Sequence, residues 1–191
     1  MVHRITQEQY RVTKWGGGLT RELAIAPRDA VYADRDFLWR ISSATVELEE
    51  SDFTPLPDYN RFLSTLDGEI DLDHGDDTVH HLTPGQIYEF DGGIPTHSRG
   101  VCTDFNLMLR KGRCTGSMDC FRMRPGEQIS PMKKAGGQLL VYCVRGTALL
   151  SDSGETTPFS QGEALLLDTA EAPVLFSEHE SVVMTAEMHL R

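Results

Sequence analysis

Apolar and polar residues alternate along this chain in short runs, and the runs form two matching sets. Leu63-Ser64-Thr65-Leu66-Asp67-Gly68-Glu69-Ile70-Asp71-Leu72 is echoed 78 residues on by Val141-Tyr142-Cys143-Val144-Arg145-Gly146-Thr147-Ala148-Leu149-Leu150. Gly85-Gln86-Ile87-Tyr88-Glu89-Phe90-Asp91 is echoed by Gly162-Glu163-Ala164-Leu165-Leu166-Leu167-Asp168, and Pro95 by Pro173. Solenoid repeats run about 20 to 50 residues, so this period is one of small domains. In each set two apolar runs flank a Gly (Gly68, Gly146), as a hairpin turn with positive φ requires. A polar turn follows, His74-Gly75-Asp76-Asp77 or Asp152-Ser153-Gly154-Glu155, and then another apolar run. Strand signals spaced in this way by Gly, Pro and Asp predict an all-β sandwich or barrel.

The rest of the chain agrees with strands. Trp39 to Leu48 alternates with period two, placing Arg40, Ser42 and Ala44 on one face and Trp39, Ile41 and Ser43 on the other. Asp104, Asn106 and Met108 alternate in the same way with Phe105 and Leu107. Helical period is scarce, and Arg28 to Asp36 is the one stretch expected to form a turn or two of helix.

Composition narrows the function. The net charge of −11 and a pI near 5.0 argue against nucleic acid, whose phosphates favour a basic surface. The acidic stretches Glu47 to Asp52 and Asp67 to Asp77 are expected to be solvated faces. Basic residues gather between the repeats (Arg110, Lys111, Arg113, Arg122, Arg124, Lys133, Lys134), interleaved with acids and Gly, as in a surface linker. No apolar run has the length of a membrane span, and Met1-Val2-His3-Arg4-Ile5 is not a signal peptide. Cys102, Cys114, Cys120 and Cys143 include no Cys-x-x-Cys pair. The expectation is reduced thiols in a cytoplasmic protein.

The repeat grammar resembles that of cupins. Gly85, five residues, then Asp91-Gly92-Gly93-Ile94-Pro95-Thr96-His97 is similar to the second cupin motif, with the His one place late. The cupin metal ligands have no counterpart. Arg61 stands where the ligating Glu is expected before Gly68, and Leu139 stands there before Gly146. Thr54-Pro55-Leu56-Pro57 replaces the His-x-His pair. A guanidinium at a metal position is a fixed cation, so neither metal nor cofactor is expected. His74, His80 and His81 do not restore a site, because adjacent His80 and His81 point to opposite faces of a strand.

Four segments resemble the HutD/Ves family in particular. They are Trp15-Gly16-Gly17-Gly18-Leu19-Thr20-Arg21-Glu22, Phe37 to Ala44, Phe53 to Gly68 and Asp104 to Met108, in family order. The resemblance implies a bicupin, two double-stranded β-helix (jelly-roll) barrels in one chain. Expected bounds are 1–112, with an N-terminal arm, and 113–191; the arm is expected to cross over and complete the second barrel's sheet. It also implies a regulatory role tied to histidine utilisation or stress response, with binding of a carboxylate such as formylglutamate.

The residues sharpen this. Arg40 and Arg61 sit on strand faces that include Ser42, Leu63 and Thr65, and a buried Arg needs a partner. Asp104 and Asn106 are the candidates. Two readings stay open: a structural Arg–Asp pair, or a pocket in which guanidinium groups receive a carboxylate in a bidentate manner. Arg40, Ser42, Arg61, His97, Asp104, Asn106 and Arg21 are therefore the expected ligand-binding residues, with no catalytic residue among them. The Gly16-Gly17-Gly18 run lacks a nucleotide-loop pattern and is expected to bend an N-terminal arm. Trp15 and Trp39 are expected in core or subunit contacts. The favoured function is a non-catalytic regulator that binds a small anionic metabolite, in a homodimer with no nucleic-acid or membrane partner. The alternative is a metal-free or weak-metal cupin enzyme of isomerase or hydrolase type, although no nucleophile–base pair appears at motif spacing.

Overall fold

Alternating apolar positions do fold as strands throughout. In the computed structural model, which describes residues 1–75, 77–131, 136–168 and 170–191, the strands follow the sequence runs closely. They are β1 Val2–Ile5, β2 Arg11–Trp15, β3 Gly18–Ala26, β4 Trp39–Val46, β5 Glu50–Asp52, β6 Tyr59–Gly68, β7 Ile70–Asp73, β8 Val79–Leu82, β9 Tyr88–Asp91, β10 His97–Arg99 and β11 Cys102–Arg110. The second set is β12 Cys114–Met123, β13 Gln128–Ile129, β14 Gln138–Arg145, β15 Thr147–Asp152, β16 Glu155–Ser160, β17 Ala164–Leu167, β18 Val174–Phe176 and β19 Ser181–Leu190. The helix expected across Arg28 to Asp36 is one 3₁₀ turn, Tyr32–Asp34, closed by Arg35 in the left-handed region at φ 56°. Asp76, Lys133 and Lys134 lie outside the described residues.

The chain divides into two units, Tyr10–Thr115 with Arg191 and Met1–Gln9 with Gly116–Leu190. Each contains two antiparallel sheets. In the first unit the orders are β2-β3-β4-β11-β6-β9 and β5-β10-β7-β8; in the second, β1-β17-β14-β19-β12 and β13-β18-β15-β16. Adding eight to each strand number converts β4-β11-β6-β9 and β5-β10-β7-β8 into their counterparts β12-β19-β14-β17 and β13-β18-β15-β16. The 78-residue echo is thus an echo of topology. It extends to turn chemistry. Gly68 and Gly146 have φ of 74° and 83°, and the Gly85 and Gly162 N–H groups donate to Thr65 O and Cys143 O at 3.0 and 2.8 Å.

One expectation about the architecture needs correction. The sheets do not close into barrels: each ends on edge strands, and the two sheets of a unit are joined by turns and by a shared core. In the first unit that core links Val46, Leu63 and Phe90 with Ile70, Leu72 and Leu82. In the second it links Leu139, Val141, Leu165 and Val183 with Leu150, Phe159 and Leu175. At the N-terminus the arm crosses over, as expected: strand β1 pairs with β17, Val2 opposite Leu167 through Ile5 opposite Ala164, and residues 1–9 add a strand to the second unit's sheet.

Candidate functional site

The two units differ in what fills them. Leu139, the counterpart of Arg61, is 1% exposed in an apolar cluster. The first unit instead encloses a cavity of about 440 Å³ walled by β2, β3, β4, β6 and β11 with the Tyr32 and Phe53 segments. Strand parity explains its chemistry. Arg40, Ser42 and Ala44 all face it from β4, and Asp104, Asn106 and Met108 from β11, as the alternation requires.

Four ionisable side chains line this space while nearly inaccessible to solvent: Glu22 at 7%, Arg40 at 5%, Arg61 at 6% and Asp104 at 6% exposure. They are not equally satisfied. The Arg40 Nε donates to Glu22 Oε2 at 2.7 Å and its Nη1 to Ser42 Oγ at 3.0 Å. Its guanidinium also lies over the Tyr32 ring, 4.1 Å from the centroid. Glu22 meets a second cation, Arg11 Nη1, at 3.2 Å. Asp104 accepts the Ala44 N–H at 2.8 Å, and its carbonyl accepts the Ser43 hydroxyl at 2.7 Å.

Arg61 differs from the other three. Its guanidinium lies 4.6 Å from the Phe53 ring centre and 5.3 Å from that of Phe90. Among the described residues its Nε has no acceptor and the Asn106 Oδ1 has no donor. No ion pair joins Arg61 to Asp104 among the described residues, so the expected direct Arg–Asp pair is replaced by attraction across the cavity. Burial lowers the Arg61 pKa to about 10, with Asp104 opposing that shift.

Burial pushes the Asp104 carboxyl up to about 6, against the pull of the Ala44 N–H, Arg61 and Arg40. This carries a pH prediction. Between about pH 4 and 6 the folded protein keeps a proton on Asp104 that the unfolded chain has released. Stability therefore falls as pH rises through that window, and the cost, about 3 kcal/mol, is fully in place above it. Asp104→Asn, which keeps an acceptor for Ala44, is expected to flatten this decline in urea unfolding measured from pH 4.5 to 7.5. An unchanged slope would show that Asp104 is not the group responsible.

Two expected residues lie elsewhere. Arg21 is on β3 opposite Ser43, the outward parity; Thr20 and Glu22, opposite Ala44 and Ser42, are the residues that enter the cavity. His97 belongs to β10 in the four-stranded sheet, where its Nδ1 meets Asp52 Oδ1 at 2.8 Å beside a shallower depression shared with His74 and Asp73. His80 stacks on Tyr88 at 4.4 Å while His81 bonds Asp71 at 2.7 Å, so the adjacent pair does split between faces. Among the described residues no group of three His, Cys, Asp or Glu is placed to hold a metal ion. The four cysteines are unbridged. No helix among the described residues is long and apolar enough to cross a membrane.

The fold is shared widely. The chain is similar to a conserved protein of unknown function from Pseudomonas aeruginosa PAO1, with TM-score 0.84, 22% identity and 98% of each chain covered. It is similar to HutD from Pseudomonas fluorescens SBW25, with TM-score 0.74, 20% identity and all of both chains covered. It is also similar to the Escherichia coli pirin YhhW, a cupin-fold protein solved with nickel(II), with TM-score 0.69, 12% identity and 98% of each chain covered. At such identities the likeness is one of fold. No curated protein sequence matches the chain. The HutD family profile, however, matches residues 7–184, nearly the whole length and all of the cavity's walls, and the chain therefore belongs to the HutD family.

Proposed function

We propose that this protein is a non-catalytic bicupin that binds a small carboxylate in the cavity of its first unit and serves a regulatory role in histidine utilisation. The observation that carries the reading is Arg61, a buried guanidinium facing a cavity with no hydrogen-bonding partner among the described residues. Burying an unpaired charge is costly, and a carboxylate would offset that cost through charge-assisted hydrogen bonds. Arg40 is already engaged by Glu22, which leaves Arg61 as the receiving cation and Arg40 as part of the wall. Asn106 and Asp104 face the remainder of the ligand. Formylglutamate, whose binding the family resemblance implies, has the required carboxylates and a polar acyl group. A cytoplasmic homodimer formed through an exposed sheet edge belongs to the same proposal. The enzymatic alternative has less support: among the described residues the cavity wall includes no Cys or His, and Cys102, two residues from Asp104, has its thiol pushed up to about 12 by burial.

The test is calorimetric titration of the protein with N-formylglutamate, glutarate and glutamate, with mass spectrometry of small molecules released on denaturation. Saturable binding of at least one acid, or a co-purified acid, is expected. Absence of both would overturn the reading.

A further inference from the structure

The Trp15-Gly16-Gly17-Gly18 segment does more than bend the chain. Trp15 ends β2 and pairs with Gly18 at the start of β3, leaving Gly16 and Gly17 as a two-residue hairpin turn. The Trp15 indole folds back over that turn. A Cβ added at Gly17 would overlap the Cζ3 of the ring and lie 2.5 Å from its Cη2, with Leu48 Cδ1 at 3.0 Å on another side. A side chain at position 17 would therefore displace the six-membered edge of the indole that rests there. Nε1 belongs to the five-membered ring at the other end of the indole. Trp15 packs partly buried against the core cluster of Val46 and Leu63, and it lines the Arg61 cavity together with Phe53 and Asn106. Its Nε1 is buried and has no acceptor among the described residues. Buried indole N–H groups ordinarily have one.

Resting on the reading that Arg61 receives a carboxylate, we propose that the Trp15 indole N–H is the second anchor of the cavity. It donates to a neutral oxygen acceptor, such as an acyl carbonyl, on the same acid. Arg61 then sets affinity for the acid group, and Trp15 separates acids bearing that acceptor from those lacking it. Gly17 is a positioning residue that holds the ring in place.

The experiment compares N-formylglutamate with glutarate, which lacks the acyl carbonyl, on wild type, Trp15→Phe, Gly17→Ala and Arg61→Met by calorimetry. Trp39 remains in every variant as a fluorescence reporter of folding. Trp15→Phe is expected to weaken N-formylglutamate about three- to tenfold, the range of one net hydrogen bond, and to leave glutarate unchanged. Gly17→Ala, which keeps the indole but displaces it, should show the same split; it carries the test if Trp15→Phe does not fold. Equal losses for the two acids would mark Trp15 as structural and overturn the proposal. Arg61→Met abolishing both while Trp15→Phe binds both as wild type does would overturn this inference alone. Failure of wild type to bind either acid would overturn it together with the reading beneath it.

Discussion

Glu22→Ala is expected to destabilise the first unit by about 3 to 5 kcal/mol, the usual cost of removing one member of a buried ion pair. Glu22 and Arg40 are 7% and 6% exposed at their side chains, and their atoms meet at 2.7 Å. Without the carboxylate, Arg40 and Arg61 are two buried cations in one cavity, and among the described residues Asp104 is the buried carboxyl left to oppose them there. Arg11 loses its partner as well, but it is 56% exposed and water replaces the contact at little cost. The Ser42 hydroxyl and the Tyr32 ring still hold Arg40, which places the loss toward the lower end of that range. Urea unfolding by linear extrapolation measures it. Replacing both partners, Glu22→Met with Arg40→Met, is expected to recover most of the stability, because an apolar pair carries no desolvation penalty. A loss below about 1 kcal/mol for Glu22→Ala would show that the pair behaves as a solvated surface bridge.

Arg61 should behave in the opposite way. Arg61→Met is expected to leave the melting temperature of the ligand-free protein unchanged or higher, while lowering affinity for the bound acid by at least ten- to a hundredfold. The first expectation follows because the guanidinium is buried between Phe53 and Phe90 without a hydrogen-bonding partner among the described residues, and a Met can fill that space. The second follows because charge-assisted contacts contribute about 1.5 to 3 kcal/mol. Asp104 loses the attraction of Arg61 in this variant, so melting is best compared at pH 6 or below, where it can take up a proton. A large loss of stability with unchanged affinity would make Arg61 a structural cation. Together the two substitutions separate a charge that holds the wall together from one that the fold carries at a cost.

Much of this was legible in the residues. The echo of Leu63–Leu72 in Val141–Leu150 gave the duplicated topology, because hairpin glycines and alternating apolar runs are local features. The Arg40-Ser42-Ala44 face followed from period two alone. What failed depended on pairing. Arg21 and Glu22 are adjacent, and one step of parity decides which enters the cavity; the register that sets it, Thr20 opposite Ala44, is a long-range fact, and β3 is further perturbed by a bulge between Glu22 and Ala24. Tyr32 was hidden because it reaches the cavity from a 3₁₀ turn outside any periodic run. His97 sits on a three-residue strand that joined the other sheet, which its local sequence does not specify. Trp15 as a cavity wall was hidden for another reason: only the fold shows that Gly17 lacks a side chain because the indole lies over it.

The most direct test of the central claim is where a bound acid sits. In a crystal structure of the protein with N-formylglutamate, a carboxylate oxygen should lie within about 3 Å of the Arg61 guanidinium, inside the cavity walled by Asp104 and Asn106. An acid found outside the first unit, or within it but away from Arg61, would contradict the account.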